Sequence, residues 1–302
     1  MPFTAKSGKF NASINTVEFG TGDKAVKIGG ENVFPLYSFD AAIENAPKVG
    51  IEITDFGMEH EPECIKKYYE GCATLADMAR KAASMEGVDF LSFRMEGGDP
   101  NGANKSTEEL IGELKEIADA VDLPLVVCGC KNVEKDAELF SKAAEALNGK
   151  NAVILSAKEE NYKTVGAAAG LAYKQIVGAE SAVDINLAKQ LNVLISQLGV
   201  DSKSVVMNVG TAAVGYGFEY VISTMDRVKA AALQQGDANL QMPIITPVAS
   251  EAWGVKEAMA SETDAPEWGS QEERGIDMEV ETAMAVIAAG SNAVILKHPE
   301  SI

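Results

Sequence analysis

Asp184-Ile185-Asn186-Leu187-Ala188-Lys189-Gln190-Leu191-Asn192-Val193-Leu194-Ile195-Ser196-Gln197-Leu198, then Val205-Val206-Met207-Asn208, then Gly210-Thr211-Ala212-Ala213-Val214-Gly215-Tyr216-Gly217-Phe218-Glu219-Tyr220, is the stretch whose reading decides the fold. Leu187, Leu191, Leu194, Ile195 and Leu198 recur at helical spacing, so 184–198 reads as an amphipathic helix. Asp184 suits its N-cap, because a carboxylate accepts from the free N–H groups of a first turn. The apolar run 205–208 is too short for a helix. Flanked by helices, it reads as a strand buried on both faces, the mark of a parallel sheet with crossover helices.

The same alternation extends outward in both directions. Strand patterns fall at 49–54, 88–94, 125–130, 152–156, 175–179, 205–208, 243–247 and 293–297. Helical patterns fall between them at 65–84, 107–120 (with Thr107 as its N-cap), 134–147, 161–172, 184–198, 218–235 and 271–289. Eight strands on roughly 250 residues match a (β/α)8 TIM barrel. An open doubly wound sheet is the rival, but Thr54-Asp55-Phe56-Gly57 is not the glycine-rich turn that such sheets use for dinucleotides. A closing eighth helix is not in the pattern, so either the natural chain runs on or another element covers that edge. Ahead of the barrel, Ile14 to Phe19 alternates apolar and polar, Gly20-Thr21-Gly22-Asp23 is turn chemistry, and Val26-Lys27-Ile28 follows. These predict an N-terminal β-hairpin extension capping one end of the body. The expected division is 1–48 hairpin and lead-in, 49–302 barrel.

The chain has 302 residues and a net charge of -19, which repels nucleic-acid phosphates and anionic membranes. No apolar stretch approaches the roughly eighteen residues of a membrane span, and residues 1–15 lack the apolar centre of a signal peptide. The expectation is a cytoplasmic protein. Cys64, Cys72, Cys128 and Cys130 are too scattered for a disulfide framework or a tight iron–sulfur cluster. With only His60 and His298, a histidine-based zinc site is not expected.

Two βα loops are long: 96–106 and 249–270, the latter carrying Trp253 and Trp268. Gly97 and Gly102 have phosphate-loop separation, but Ala103 and Asn104 stand where Lys and Ser/Thr are required. Asn186, Lys189 and Asn192 share a helix face, either solvated or turned toward a ligand. Gly210, Gly215 and Gly217 allow close approach of a flat ligand, Asn208 can donate and accept, and Tyr216 can lie against a ring system. Asp55, Glu96 and Glu180 are acids at strand ends, and no Ser-His-Asp or Cys-His arrangement is evident. Lys297, inside the last strand pattern, is the candidate for an aldolase-type amine.

Three separated motifs carry a family resemblance. They are the 184–192 segment, Gly215-Tyr216-Gly217-Phe218-Glu219-Tyr220, and Glu251-Ala252-Trp253 followed by Glu267-Trp268-Gly269. Supporting segments are Val26-Lys27-Ile28-Gly29-Gly30, Asp99-Pro100-Asn101-Gly102 and Pro124 to Cys130. Together they resemble the small (delta) subunit of the corrinoid iron–sulfur protein of the CO dehydrogenase/acetyl-CoA synthase system, over most of the chain. The resemblance implies a non-catalytic barrel in a heterodimer. Its large subunit carries the [4Fe–4S] cluster and shares a corrinoid (cobamide) with this chain. The family's cobalt receives a methyl group from methyltetrahydrofolate through a methyltetrahydrofolate:corrinoid methyltransferase and passes it to CO dehydrogenase/acetyl-CoA synthase. By the same resemblance, Asp184, Asn186, Lys189, Asn208, Thr211, Gly215, Tyr216 and Gly217 are expected near the corrinoid. Where the family has Asp-Pro after the sixth strand, this chain has Asn208-Val209, which keeps a hydrogen-bonding group but no charge. The rival reading is a pterin-dependent methyltransferase barrel binding methyltetrahydrofolate in its mouth.

Overall fold

The computed structural model describes residues 8–302, so residues 1–7 of the polar lead-in lie outside it. The hairpin is β1 (Val17–Phe19) and β2 (Val26–Ile28), antiparallel with Val17 opposite Ile28. Eight parallel strands follow: β3 (Lys48–Thr54), β4 (Phe90–Arg94), β5 (Leu125–Cys128), β6 (Val153–Ala157), β7 (Ile176–Glu180), β8 (Val205–Asn208), β9 (Ile245–Pro247) and β10 (Ala293–Leu296). They pair in the order β8-β7-β6-β5-β4-β3-β10-β9. A parallel bridge from Met207 to Ile244 joins the two ends, so the sheet closes on itself as a barrel.

The helices are α1 (Glu63–Lys66), α2 (Leu75–Ala83), α3 (Thr107–Ala120), α4 (Val133–Ala146), α5 (Tyr162–Val165), α6 (Ile185–Gln197), α7 (Phe218–Leu233), α8 (Ala249–Ala252), α9 (Lys256–Met259) and α10 (Gln271–Ala289). Three of the expected helices differ in the structure. The 65–84 helix is broken into α1 and α2, because Thr74 opens α2 with a reciprocal cap to Asp77. Helix α3 is capped by Ser106, whose hydroxyl accepts from Glu109 N at 3.1 Å, and Thr107 is its first helical residue. Helix α5 widens into a π-helical stretch, Gly166–Ala172.

Side-chain alternation along each strand divides the core in two. Leu91, Val127, Ile154 and Val177 face the helices in the outer apolar layer. Phe90, Val126, Cys128, Val153, Leu155, Ile176, Val206, Ile245 and Ile295 fill the interior together with Val17, Phe19, Val26 and Ile28 of the hairpin. The hairpin therefore plugs the N-terminal end of the barrel. Phe19 meets Phe90 edge-on with centroids 5.5 Å apart. Gly50 leaves room on the axis for the Phe90 ring, which a Cβ there would strike. Asn151, ahead of β6, donates to the carbonyls of Glu18 (3.0 Å) and Gly20 (3.2 Å) and holds the turn in place. Deeper in the wall, Lys229 of α7 pairs with Glu31 at 2.7 Å, and Asn292 bonds both.

The barrel has one open end. Among the described residues no helix is long and apolar enough to cross a membrane.

Candidate functional site at the C-terminal mouth

A (β/α)8 barrel gathers the ends of its strands, and so its ligand-facing side chains, at the C-terminal face. Here they enclose a cavity of about 260 Å³. Arg94, at the end of β4, is its most deeply held cation, 7% exposed. Its Nη2 lies 2.9 Å and its Nε 3.0 Å from Glu52 Oε2. Glu52 and Arg94 are inward-facing on adjacent strands, with Glu52 opposite Ser92. Burial opposes charge on Arg94, but the Glu52 carboxylate outweighs it and the pKa is raised. The other Glu52 oxygen has no partner.

The wall continues with Ser156, Lys158, Glu180, Asn208 and Thr211. Lys158 pairs with Glu180 at 3.2 Å. Asn208 is a crosslink: Nδ2 donates to Ser156 Oγ at 3.0 Å, and Oδ1 accepts from Gly210 N at 3.0 Å. The Thr211 hydroxyl has no partner. At the lip, Lys131 pairs with Glu251 at 3.0 Å. Those residues follow the third and seventh barrel strands, so the pair reaches across the mouth. Asp136 accepts from Cys130 N at 2.7 Å, and a Cβ on Gly129 would strike its carboxyl. Burial raises the Asp136 pKa.

The chemistry available is recognition of a polar surface more than attack on it. Burial pushes the Cys128 thiol up to about 11 and the Cys130 thiol up to about 12, which leaves no reactive thiolate near neutrality. Lys297 pairs with Glu61 at 2.8 Å, and its pKa is raised because that carboxylate outweighs burial. A Schiff-base lysine needs the opposite shift. Among the described residues no three His, Cys, Asp or Glu side chains are grouped to hold a metal. The other acid expected to matter, Asp55, is buried and structural: it pairs with Lys105 at 3.0 Å and accepts from Gly97 N at 2.9 Å. That ties down the 96–106 loop.

The eight residues expected to face a cofactor separate into groups. Asn208 and Thr211 line the cavity. Asp184 caps α6, accepting from Asn186 N (2.7 Å) and Leu187 N (3.1 Å), and Asn186 is exposed beside it. Lys189 pairs with Asp237 at 2.6 Å, and Asn192 is buried and donates to Asn239 O at 2.8 Å. That face of α6 packs on the turn before β9 and lines no part of the cavity. Gly215, Tyr216 and Gly217 lie on the rim beyond it. Gly217 opens α7 at φ +80°, and Tyr216, 51% exposed, donates to Glu257 Oε2 at 2.6 Å. Trp253 packs down against His298, rings nearly parallel with centroids 5.7 Å apart. Sequence reasoning missed Arg94, Glu52, Ser156, Lys158 and Lys131. For Arg94 and Ser156 the usable signal was a polar residue ending an otherwise apolar strand pattern; Glu52, Lys131 and Lys158 carried no such signal.

This architecture is that of dihydropteroate synthases. The Yersinia pestis enzyme superposes with a TM-score of 0.50 at 12% identity, covering 85% of this chain and 88% of that one. The Xanthomonas albilineans enzyme with 4-aminobenzoic acid gives 0.52 at 13%, covering 85% and 89%. At such identity the likeness is one of fold.

Sequence comparison is more specific. Residues 16–298 match the model of the CO dehydrogenase/acetyl-CoA synthase delta subunit, and the chain belongs to that family. Relatives named acetyl-CoA decarbonylase/synthase complex subunit delta 1, from Methanosarcina thermophila, and subunit delta, from Methanothermobacter thermautotrophicus, are 30% and 32% identical over 94% and 97% of this chain. The chain spans 65% of the length of the first and 74% of the second.

Proposed function

We propose that this chain is the barrel subunit of a corrinoid methyl carrier working within an acetyl-CoA decarbonylase/synthase-type complex. The observation that carries the reading is the form of the mouth in a chain of this family: a small, internally paired cavity under an exposed, glycine-rich rim. Drug-sized ligands fill about 300–1,000 Å³. A corrinoid is larger still, so a cavity of about 260 Å³ does not admit it. The residues fit a flat group laid across the opening, with its other face held by a larger subunit that also carries the [4Fe–4S] cluster. Thr211, whose hydroxyl is unpartnered at the mouth, offers a hydrogen bond to its edge. Gly215, at positive φ with open space where a Cβ would stand, lets the main chain come close, whereas Gly210 packs against Val183 and Ala182.

When bound, the corrinoid supplies a cobalt that accepts a methyl group and gives it up again. This chain's part is to position and to exclude water. Asn208 holds the first turn of the rim by Gly210 N and, being an amide, brings no charge to the mouth. The ion pairs of the wall and the lip leave no lone cation among the cavity's lining residues to compete for the cofactor's own polar groups. The methyl donor is methyltetrahydrofolate, acting through a separate methyltransferase, and the acceptor is CO dehydrogenase/acetyl-CoA synthase.

Anaerobic co-production with the large subunit tests this. The expected product is a complex of the two chains holding stoichiometric cobalt, with Thr211→Val or Gly215→Asn lowering the cobalt content while the complex still forms. Saturable binding of methyltetrahydrofolate by this chain alone, with no cobalt dependence on it in the complex, would replace the proposal with the pterin-methyltransferase reading.

A further inference from the structure

The cavity beneath the rim has a recognition chemistry of its own. Its lining carries three cations, Arg94, Lys131 and Lys158, and three carboxylates, Asp136, Glu180 and Glu251. Lys131 and Lys158 are met by Glu251 and Glu180, and Arg94 by Glu52 behind the wall. An entering anion meets carboxylates already in place, and an entering cation meets the three cations. Either one also gives up its own water. A neutral polar group escapes both costs.

Within that charge-matched wall three groups keep bonding capacity. The Thr211 hydroxyl has no partner. Ser156, 5% exposed, accepts from Asn208 Nδ2 at 3.0 Å and keeps its hydroxyl proton to give. Asp136, also 5% exposed, spends Oδ1 on Cys130 N (2.7 Å) and on the Cys130 thiol (3.2 Å), which leaves Oδ2. Two hydroxyl donors and one carboxylate acceptor match a primary carboxamide, a flat head that accepts at oxygen and donates at nitrogen. An apolar group would leave all three unsatisfied. The cavity, about 260 Å³, also far exceeds the about 10–15 Å³ that one water needs.

We propose that this cavity is a carboxamide subsite, which draws in one of the primary amide arms that a corrinoid carries around its ring. The inference rests on the corrinoid reading above and adds which part of the cofactor enters the barrel. The ring stays outside, and the seated arm fixes its rotation over the mouth.

The probes are propionamide and its charged isosteres, propionate and propylammonium, titrated into the isolated full chain and followed by NMR at the Gly210 and Thr211 amides. Propionamide gives saturable shifts at millimolar concentration, and each isostere binds at least about tenfold more weakly. Ser156→Ala with Thr211→Val abolishes the propionamide response. Asp136→Asn removes an acceptor and a negative charge together, so affinity for propionamide falls about tenfold while that for propionate rises. The gain for propionate is a result that a misfolded variant does not give. In the two-chain complex, corrinoids with single arms hydrolysed to the acid are compared by absorbance titration. One positional isomer loses about tenfold in affinity, and Asp136→Asn restores part of it. Propionamide that shifts nothing, or binds no better than propionate, leaves the cavity to water and overturns the subsite, while a cobalt-holding complex keeps the subunit reading. Equal affinity for every acid isomer refutes the seated arm. A complex that takes up no corrinoid overturns the subunit reading and the arm with it.

Discussion

Phe19→Ala tests whether the hairpin is part of the core or an ornament on it. The Phe19 side chain is fully buried, between the other three apolar residues of the hairpin and the Phe90 ring. A buried aromatic hides roughly 200 Å², worth up to about 5 kcal/mol at about 25 cal/mol/Å². That figure is an upper bound, since the unfolded chain already hides some of it, and Ala retains part. Losing the edge-on pair adds back about 1 kcal/mol. The expected loss is about 3–5 kcal/mol, the usual range for a buried Phe cut to Ala. Phe39→Ala is the control: its ring is 78% exposed, and the loss should stay within about 0.5 kcal/mol. Denaturant unfolding gives the two values side by side. Amide exchange gives the location, with faster exchange expected at 17–28 and at the N-terminal ends of the barrel strands. A Phe19→Ala chain that unfolds at the same denaturant concentration as Phe39→Ala refutes the plug.

Glu52→Ala leaves Arg94 charged and buried without its partner, so a loss of about 3–5 kcal/mol is expected, while Glu52→Leu with Arg94→Met recovers most of it in a double-mutant cycle read by thermal unfolding. Asn208→Ala frees Gly210 N and the Ser156 hydroxyl, costing about 1–3 kcal/mol and speeding amide exchange across 210–217 with little change elsewhere. His298 is buried against Trp253, and burial lowers its pKa below the usual 6.5 despite the Glu272 carboxylate 3.3 Å away. Below pH 6.5 the unfolded chain therefore takes up a proton that the folded chain refuses, so this contribution to stability is whole above that pH and fades as pH falls toward the lowered value. His298→Asn should flatten the slope of stability as pH falls below about 6.5, seen by comparing denaturation midpoints above and below it.

The barrel was legible because parallel strands buried on both faces show as short apolar runs, 205–208 among them, with no competing pattern. The hairpin was legible from the alternation 14–19 and the Gly-Thr-Gly-Asp turn. The break in the 65–84 helix was not read, although Thr74 and Asp77 have the spacing of a reciprocal cap. Ser106 and Thr107 are adjacent and equally able to cap, so sequence could not choose between them. The site was half legible. Asn208 and Thr211 lie where their strand ends, a local property. Arg94 with Glu52, and Lys131 with Glu251, are set by register and by closure of the barrel, which join residues 42 and 120 positions apart. Lys189 and Asn192 misled because a helix face does not declare whether its neighbour is a ligand or a turn of the same chain.

The plug also orders events in time. Residues 17–28 leave the ribosome before any barrel strand, yet the floor they occupy is made from β4 to β10 and is complete only when the last strand, Ala293–Leu296, has paired with β3. The hairpin's apolar face must therefore wait through the synthesis of the whole barrel, at roughly 5–20 residues per second some tens of seconds. A two-stranded ribbon does not hold together alone in water over that interval. The hairpin is made before the barrel and seated after it, and nascent chains stalled before residue 293 should carry 17–28 in a protease-sensitive, chaperone-bound state.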